Sequence, residues 1–227
     1  IRVLLWLAAA ACGLAALWLA WIGGHIVWYR THAPQETAFM AQRMDELHAK
    51  SGKATLQYRW VPYARISVQL KRAMIAAEDA KFAEHDGFDW DGIEKALEKN
   101  RKKGRVVAGG STITQQLAKN LFLSPTKSYW RKGGEAVVTV LLEAMLPKQR
   151  IFELYLNVIE WGDGVFGAEA AAQRYFGVSA AQLSAEQAAR LAAMTPSPRV
   201  FERRPDSAYL DGRGAPILAR MPSAMVP

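Results

Sequence analysis

The hydrophobic and polar positions divide the chain into two regions, and the first carries almost no charge. From Val3 to Tyr29 the sequence contains no Asp, Glu, Lys or Arg. Such a run exceeds the roughly 20 apolar residues that a helix needs to cross a hydrocarbon core about 30 Å thick. Trp6 near one end and Trp28 at the other stand where an aromatic belt is expected. The pattern predicts a retained single-pass transmembrane anchor over residues 1–30.

Two other interpretations of this apolar run are weaker. A secretory signal peptide has a shorter apolar region of about 7–15 residues before a small-residue cleavage site. The small residues Ala8–Ala11 are followed by a further long apolar stretch, and a buried core helix rarely lacks charges for so long. Charge leaves the orientation open. Arg30, Arg43 and Lys50 alone favour a cytoplasmic downstream side, but the flank before Ile1 is not in the sequence.

Residues 31–65 are polar and mixed in charge, which is typical of a stalk or linker. Within them, Ala38 to Leu47 predicts a short helix, and residues 57–62 predict an extended piece that ends at proline. From Ser67 onward, apolar residues recur at helical spacing and Gly and Pro separate the segments. The predicted helices are 67–82, 90–103, 112–122, 130–146, 148–156, 165–175, 180–183 and 184–194.

The fold class predicted from this pattern is mainly α. A globular domain is expected over 66–204, and the Arg-, Pro- and Gly-rich residues 205–227 predict a flexible tail. The 227 residues are 51% hydrophobic and 22% charged, so the chain can bury a core and global disorder is excluded. A single cysteine, Cys12, excludes an intrachain disulfide framework and a multi-cysteine zinc site. His85 has no second histidine at ligand spacing, so no metal site built from side chains alone is predicted.

The net charge of +8 is concentrated in one part of the chain. Between Lys95 and Arg150, twelve Lys and Arg residues face only three Glu residues. This excess predicts an anionic partner: nucleic acid, acidic lipid or phosphate. For Arg101–Arg105 the simpler alternative is a solvated helix face.

The segment from Gly109 to Asn120 has the composition of a helix start that can receive an anion. Thr112 and Gln115 fit a capping box. The two preceding glycines allow a ligand to approach the backbone, and a helix N-terminus with Lys119 suits a phosphate. The order of a Walker A loop is absent. The alternative is a capped helix that carries a surface lysine.

Two further segments contain candidate carboxylates. Glu78 follows the apolar residues 74–77, and a carboxylate beside an apolar wall is a candidate general base; the alternative is a structural glutamate. Arg131 and Glu135 are spaced as an i, i+4 pair, which on a surface adds only a few tenths of a kcal/mol. The intervening pair Gly133-Gly134 costs about 1 kcal/mol per glycine in a helix. Selection for stability alone does not explain that pair.

Four ordered motifs carry a resemblance to a known family. They are Glu78-Asp79-x-x-Phe82-x-x-His85-x-Gly87, then Gly109 to Asn120, then Arg131-Lys132-x-x-Glu135, then Lys148-x-x-Ile151-x-Glu153-x-Tyr155-Leu156-Asn157. Together they closely resemble the motifs of the peptidoglycan glycosyltransferases, glycosyltransferase family 51. Residues 161–169 resemble the monofunctional, membrane-anchored, biosynthetic branch. A departure is Thr195-Pro196-Ser197-Pro198, where Leu-Pro-Asn-Pro is more usual.

The resemblance implies a lysozyme-like domain at the outer, periplasmic face of a bacterial cytoplasmic (inner) membrane. It implies polymerisation of lipid II into glycan strands, with inversion at the anomeric carbon. Glu78 would be the base that accepts a proton from the acceptor's sugar 4-hydroxyl. Glu135 would lie in the donor subsite, near the pyrophosphate or a divalent cation (Mg²⁺ or Mn²⁺), and Lys119, Arg131 and Lys132 would bind the donor's phosphates. By the same resemblance, the substrate-binding residues are Asp79, Phe82, His85, Gly110, Ser111, Thr112, Gln115, Gln116, Lys119, Asn120, Arg131, Lys132, Tyr155 and Asn157.

The implied partners are lipid II, the growing glycan strand, the membrane and other cell-wall synthesis proteins, with no nucleic acid and no organic cofactor. The residue chemistry agrees with transfer. A glycosidase needs a second carboxyl group as acid, whereas a pyrophosphate leaves as an anion that cations can stabilise. A lysozyme-like hydrolase or lytic enzyme is the alternative function, and a membrane-tethered nucleic-acid binder is a third. Residues 124–127 match a Ser-x-x-Lys nucleophile pattern, but Lys-Thr-Gly is absent, so no penicillin-binding domain is predicted.

Overall fold

The computed structural model describes residues 2–52, 55–105, 109–123 and 129–227. Its helices are α1 (Arg2–Tyr29), α2 (Ala38–Ser51), α3 (Val68–Glu78), α4 (Trp90–Lys103), α5 (Ile113–Phe122), α6 (Tyr129–Met145), α7 (Lys148–Val158), α8 (Ala168–Phe176), α9 (Ala185–Met194), α10 (Pro198–Glu202) and α11 (Ala208–Arg220). Its strands are β1 (Gln57–Tyr58), β2 (Glu160–Gly162) and β3 (Val165–Phe166). Short 3₁₀ turns cover Tyr63–Arg65, Ala180–Gln182 and Met221–Ser223. The mainly α class predicted from the sequence is confirmed. The Ser-x-x-Lys pattern at 124–127 lies outside the described residues.

The core forms where the apolar faces of α3, α5, α7 and α9 meet. Leu70 and Met74 of α3, Leu117 of α5, Phe152 of α7 and Leu191 of α9 are all fully buried. Helix α3 packs against α9, and α5 packs against both α6 and α7. These contacts fix the end of α3 relative to the start of α5, and the candidate site lies at that junction.

Helix α3 is shorter than the predicted helix over 67–82, because it ends at Glu78. The next residue, Asp79, has an extended φ of −160°, and its side chain accepts a hydrogen bond from the backbone N–H of Ile113, at 3.0 Å. A long-range bond to α5 therefore replaces the next helical turn. The predicted helix over 165–175 also begins later, at Ala168, because Val165 and Phe166 form β3.

The segment predicted as a stalk is packed onto the domain. Strand β1 pairs in parallel with β3, which pairs antiparallel with β2, in the order β1-β3-β2. Helix α2 extends past the predicted 38–47 and contacts α5. Its Arg43 is buried and donates to both carboxylate oxygens of Glu160, at 2.7 and 3.0 Å. A charge with this little exposure requires a fixed partner, so α2 and β1 are structural parts of the domain.

The prediction of a flexible tail over 205–227 was wrong, because residues 208–220 form α11. Leu210, Ile217 and Met221 are each at most 3% exposed, and they are spaced seven and four residues apart on one face. That face packs against α9 and α3. Gly212, Gly214 and Pro216 mask the helical signal in the sequence, but burial of the apolar stripe outweighs their poor helix propensity.

Helix α1 confirms the helical part of the anchor prediction. It is long and apolar enough to cross a membrane, and its first 20 described residues lie on the outside of the protein. Only near its C-terminal end do Ile22, Ile26 and Tyr29 become buried against the domain.

Candidate active site

Glu78 is the last residue of α3, and side chains from three other helices or their ends hold its carboxylate. Gln116 of α5 donates its Nε2–H to Oε2 at 2.9 Å. The Thr195 hydroxyl, just after α9, donates to Oε1 at 2.6 Å. A guanidinium nitrogen of Arg213 on α11 lies 3.5 Å from the same oxygen. These contacts fix the orientation of one carboxylate at the point where α3, α5, α9 and α11 converge.

Two cavities border this group of contacts. The larger, about 370 Å³, is lined by Glu78 and Asp79, by the loop from Gly109 to Thr112, and by Arg220. The smaller, about 190 Å³, is lined by Gln116 and Thr195, both of which donate to Glu78, together with Lys119. Asn120, Tyr155, Phe39 and Glu160 also line the smaller cavity. The carboxylate of Glu78 therefore faces one cavity and is held by side chains that line the other.

Asp79 and His85 hold the loop after α3 in place. Asp79 is 6% exposed, and its carboxylate contacts Nε2 of His85 at 2.9 and 3.1 Å as well as the N–H of Ile113. The other ring nitrogen of His85 accepts the backbone N–H of Gly87, at 3.1 Å. Asp79 and His85 were predicted to bind substrate. In the structure they contact each other, and Asp79 also accepts a hydrogen bond from α5. Asp79 still borders the larger cavity, so positioning is the role that the geometry supports.

The predicted capping box at the start of α5 is confirmed. Thr112 accepts the N–H of Gln115, whose side chain accepts the N–H of Thr112. The Thr112 hydroxyl also donates to the carbonyl of Gly87 at 2.7 Å. Gly110 is needed for space, because a Cβ there would approach Cα of Ile93 to 3.1 Å. Thr112 and Gln115 therefore shape the loop, while Gly110 and Ser111 border the larger cavity.

The predicted basic cluster lies where α6 faces α5. Glu135 is 3% exposed; Arg131 pairs with it at 2.7 Å, and Lys132 pairs with its other oxygen. Lys132 also lies 3.3 Å from the hydroxyl oxygen of Ser111. The motif that could have been a surface ion pair is thus a buried carboxylate with two cations, joined to the loop before α5.

Lys119 is a partly desolvated cation beside the smaller cavity. Burial lowers the pKa of its ammonium group, while the nearby carboxylates of Glu135 and Glu78 oppose that shift. Arg131 and Lys132 also act on it electrostatically, so both carboxylates and three cations share one neighbourhood. Within the described residues its contact is the ring of Phe39, at 5.9 Å, with no hydrogen-bond acceptor. A desolvated cation beside a cavity is suited to an anionic ligand.

Other predicted residues support the site from behind. Tyr155 is fully buried, and its hydroxyl donates to Oε1 of Gln116 at 3.2 Å, which orients the amide that holds Glu78. Burial, followed by the charge of Glu78, raises the pKa of Tyr155 well above its usual value. Asn120 donates to the carbonyl of Gln116 at 2.7 Å and borders the smaller cavity.

Two predicted substrate-binding residues face away from both cavities. Phe82 is fully buried, with its ring 5.4 Å from that of Phe152 and beneath the Lys148 ammonium at 4.6 Å. Asn157 is also 0% exposed, and its amide exchanges hydrogen bonds with the backbone of Val61, at 2.9 and 3.0 Å. The structure therefore does not bring Phe82 and Asn157 into the lining of either cavity, and their contacts are with other parts of the protein.

Sequence reasoning missed several residues of the site. Thr195 was noted only as a departure from a usual leucine, yet its hydroxyl contacts the candidate base. Arg213 and Arg220 lie on α11, in the segment predicted to be flexible. Their seven-residue spacing, which places both on one helix face, was the signal available in the sequence.

No cluster of three or more His, Cys, Asp or Glu side chains that could hold a metal occurs among the described residues. The one carboxylate beside the cations, Glu135, is already paired on both oxygens. These side chains do not fit a metal site built by the protein. A divalent cation bound there would take most of its ligands from substrate phosphates.

Comparison with known proteins places this geometry in a family. A family model described as Transglycosylase matches residues 44–222. A biosynthetic peptidoglycan transglycosylase of Dechloromonas aromatica (strain RCB) is 61% identical, over 95% of this chain and 93% of the relative. Proteins of the same name from Herminiimonas arsenicoxydans and Laribacter hongkongensis (strain HLHK9) are 56% and 54% identical, over at least 98% of both chains. The chain therefore belongs to the transglycosylase family.

Proposed function

We propose that this protein is a peptidoglycan glycosyltransferase that polymerises lipid II, a disaccharide-pentapeptide on undecaprenyl pyrophosphate, into glycan strands. The observation that carries the proposal is the position of Glu78, which lines the larger cavity and is held by Gln116 and Thr195 of the smaller one, while Lys119 interacts electrostatically with Glu78 and with the cations Arg131 and Lys132. The relatives named above as peptidoglycan transglycosylases support the same substrate class.

The reaction requires one base and one anion site. Glu78 accepts the proton of the acceptor's sugar 4-hydroxyl as that oxygen attacks the anomeric carbon of the donor. The bond from this carbon to the pyrophosphate oxygen breaks on the opposite face, so the configuration inverts. Undecaprenyl pyrophosphate leaves with the electron pair, and Lys119, Arg131 and Lys132 stabilise its negative charge. Gln116 and Lys119 are three residues apart on α5, so one helix face connects the base to the anion site.

Hydrolysis by a lysozyme-like enzyme is the less favoured function. It needs a protonated carboxyl group to donate to a poor leaving group, besides a second carboxylate. Of the nearby carboxylates, Asp79 accepts the Ile113 N–H and contacts His85, and Glu135 carries two cations. Glu160, in the wall of the smaller cavity, accepts hydrogen bonds from Arg43 on both oxygens. None of the three is arranged as an acid that could protonate a glycosidic oxygen. The cation cluster instead suits a leaving group that is already an anion.

The finer assignments belong to the same proposal. Helix α1 anchors the chain as a single pass in the bacterial cytoplasmic membrane, with the catalytic domain on the periplasmic side, where the polymer is needed. A lipid-linked substrate is then held in the same bilayer as the enzyme. Mg²⁺ or Mn²⁺ would accompany the donor's pyrophosphate, and other cell-wall synthesis proteins are the expected protein partners.

Incubation with labelled lipid II in detergent, resolved on a gel, tests the proposal. The wild-type protein should give a ladder of glycan strands. Glu78→Gln should lower polymerisation at least 100-fold while lipid II binding survives, because loss of general base catalysis alone accounts for about 10²–10⁴-fold. Glu84→Gln, an exposed glutamate on the loop after α3, is the matched control and should keep full activity. A normal ladder from Glu78→Gln would refute the assigned base, and soluble sugar fragments from purified sacculi would favour the hydrolase.

A further inference from the structure

The end of helix α1 is built into the domain next to the cation cluster. Ile22 and Ile26 are fully buried and Tyr29 is 8% exposed, in contrast to the earlier part of the helix. Membrane attachment alone requires only a hydrophobic helix and a linker. Burial of the last turns of α1 therefore points to a second role for this helix, within the domain.

The first contact involves Gly134, the second glycine of the pair in α6. A Cβ on Gly134 would lie 3.9 Å from Cη2 of Trp18 on α1 and 3.8 Å from a methyl of Leu123. A Cβ on Gly133 would meet nothing within 4 Å. Gly134 thus provides the flat surface on which the Trp18 ring lies, one residue before Glu135. A side chain that extends beyond Cβ towards Trp18 would have to displace its ring or separate α1 from α6.

The second contact involves α5. The ring of Phe122 lies between three rings of α1: Trp21 at 6.0 Å, Tyr29 at 6.1 Å and His25 at 6.4 Å between centroids. Phe122 is three residues beyond Lys119 on the same helix. The anchor therefore packs directly on both helices that carry the proposed phosphate-binding residues.

The third contact holds the C-terminal end of α1. Arg150 of α7 donates Nε–H to the carbonyl of Tyr29 and Nη2–H to that of His32, both at 2.7 Å, and pairs with Glu153 at 2.6 Å. Its guanidinium also lies over the ring of Trp60, at 5.2 Å. A cation here satisfies carbonyls that a helix C-terminus leaves unpaired and complements its negative end. The position of α1 is thus fixed at its end as well as along its side.

We propose that the C-terminal half of α1 is a positioning element of the pyrophosphate site, and that Trp18 and Gly134 are positioning residues that set the separation of α5 and α6. The inference rests on the proposed function for its substrate. Its mechanical part is independent: Lys119 is on α5, while Arg131, Lys132 and Glu135 are on α6, so a shift of α6 widens the cradle. A displacement of about 1 Å at a binding constellation can lower activity about 10²-fold.

Matched leucine substitutions in α6 test this inference. Gly134→Leu should raise the KM for lipid II and the concentration of inorganic pyrophosphate needed to inhibit polymerisation by about tenfold or more, with a smaller effect on kcat. Gly133→Leu, one residue away and open to space, carries the same gain in helix propensity and should stay within twofold of wild type. Gly134→Ala should also stay within twofold, because its methyl would sit at ordinary contact distance.

A second substitution that restores affinity would separate a positioning role from a general loss of folding. Adding Trp18→Ala to Gly134→Leu should restore most of the affinity, because the removed ring leaves room for the leucine. Trp18→Ala alone adds no bulk and should weaken pyrophosphate inhibition in the same direction, to a smaller extent. Equal behaviour of the two leucine variants, or no rescue, would overturn the inference. Direct binding of inorganic pyrophosphate should also be measured for the wild type and the variants. This measurement tests the positioning role of α1 even if the wild type makes no polymer, so failure of the positioning proposal can be told from failure of the proposed function.

Discussion

At the scale of single residues, Lys119 is a partly desolvated ammonium group with charged neighbours. Burial lowers the pKa of its ammonium group, and the opposing pull of Glu135 and Glu78 is the smaller effect. In the unfolded chain the same group is protonated up to the usual lysine range. Folding therefore works against the charged form: the penalty is full below the lowered pKa, declines as the pH rises above it, and is gone above the pKa of the unfolded chain. A bound pyrophosphate would supply the missing negative charge.

This environment predicts a pH dependence of donor binding. In its proposed role, Lys119 binds phosphate in the protonated form, so affinity should be full below its lowered pKa and should fall as the pH rises through that value. Lys119→Arg keeps its charge at every accessible pH, and should move the fall to higher pH. Inhibition of polymerisation by inorganic pyrophosphate, measured from neutral to alkaline pH, follows the change.

Lys99→Arg is the control. Lys99 is exposed on α4, so this substitution should leave the pH profile of pyrophosphate inhibition unaltered. If Lys119→Arg retained the wild-type alkaline fall, another group would be the one that titrates.

At the scale of elements, α11 completes both the core and the site. Its buried stripe covers α9, which presents Thr195 to Glu78 at its C-terminal end. The same packing brings Arg213 to the carboxylate of Glu78 and places Arg220 at the edge of the larger cavity. The segment predicted to be a flexible tail therefore supplies two cations near Glu78.

Substitutions on two positions of α11 test its structural role. Ile217→Asp places a charge at a position that is 1% exposed, and it should lower the free energy of unfolding by on the order of 4 kcal/mol. Ala219→Asp places the same charge on the exposed face of the helix and should change stability by less than about 0.5 kcal/mol. Thermal unfolding in detergent measures both. Equal midpoints for the two variants would mean that α11 is not part of the folded core.

At the scale of the whole molecule, the proposed membrane anchor and part of the packing of the catalytic unit belong to one helix, α1. The exposed first part of α1 is apolar, and its last turns pack on α5, α6 and α7. The cations of the site are on two of these helices. A lipid-linked pyrophosphate held at the membrane surface would meet its binding residues close to the enzyme's own anchor.

The membrane location predicts two observations in a bacterial host. The chain should pellet with membranes and resist carbonate extraction, and protease added to spheroplasts should digest the domain. Replacing both Leu14 and Leu17, which are each 69% exposed on α1, by arginine should release the chain, because each arginine costs about 2.5–3.5 kcal/mol in the bilayer centre. Digestion only after lysis would instead place the domain in the cytoplasm.

Much of this organisation follows from the sequence alone. Periodicity predicts most helices of the domain to within a few residues, because an apolar stripe must be buried whatever its partner is. The capping box of Thr112 and Gln115 is equally local, since both partners lie within one turn of α5. The ordered motifs predicted the family, and the uncharged run predicted α1. These are the features whose physical cause lies within a few neighbouring residues.

Tertiary structure alone decided which motif residues face the cavities. Asn157 and Phe82 belong to the motifs yet are buried, because distant segments supply their partners. Thr195 and Arg213 lie outside the recognised motifs yet contact Glu78, because α9 and α11 fold back onto α3. Gly134 was visible in the sequence, but its contact with the ring of Trp18, more than a hundred residues earlier, required the tertiary structure. Long-range packing creates these contacts, and no local pattern encodes their partners.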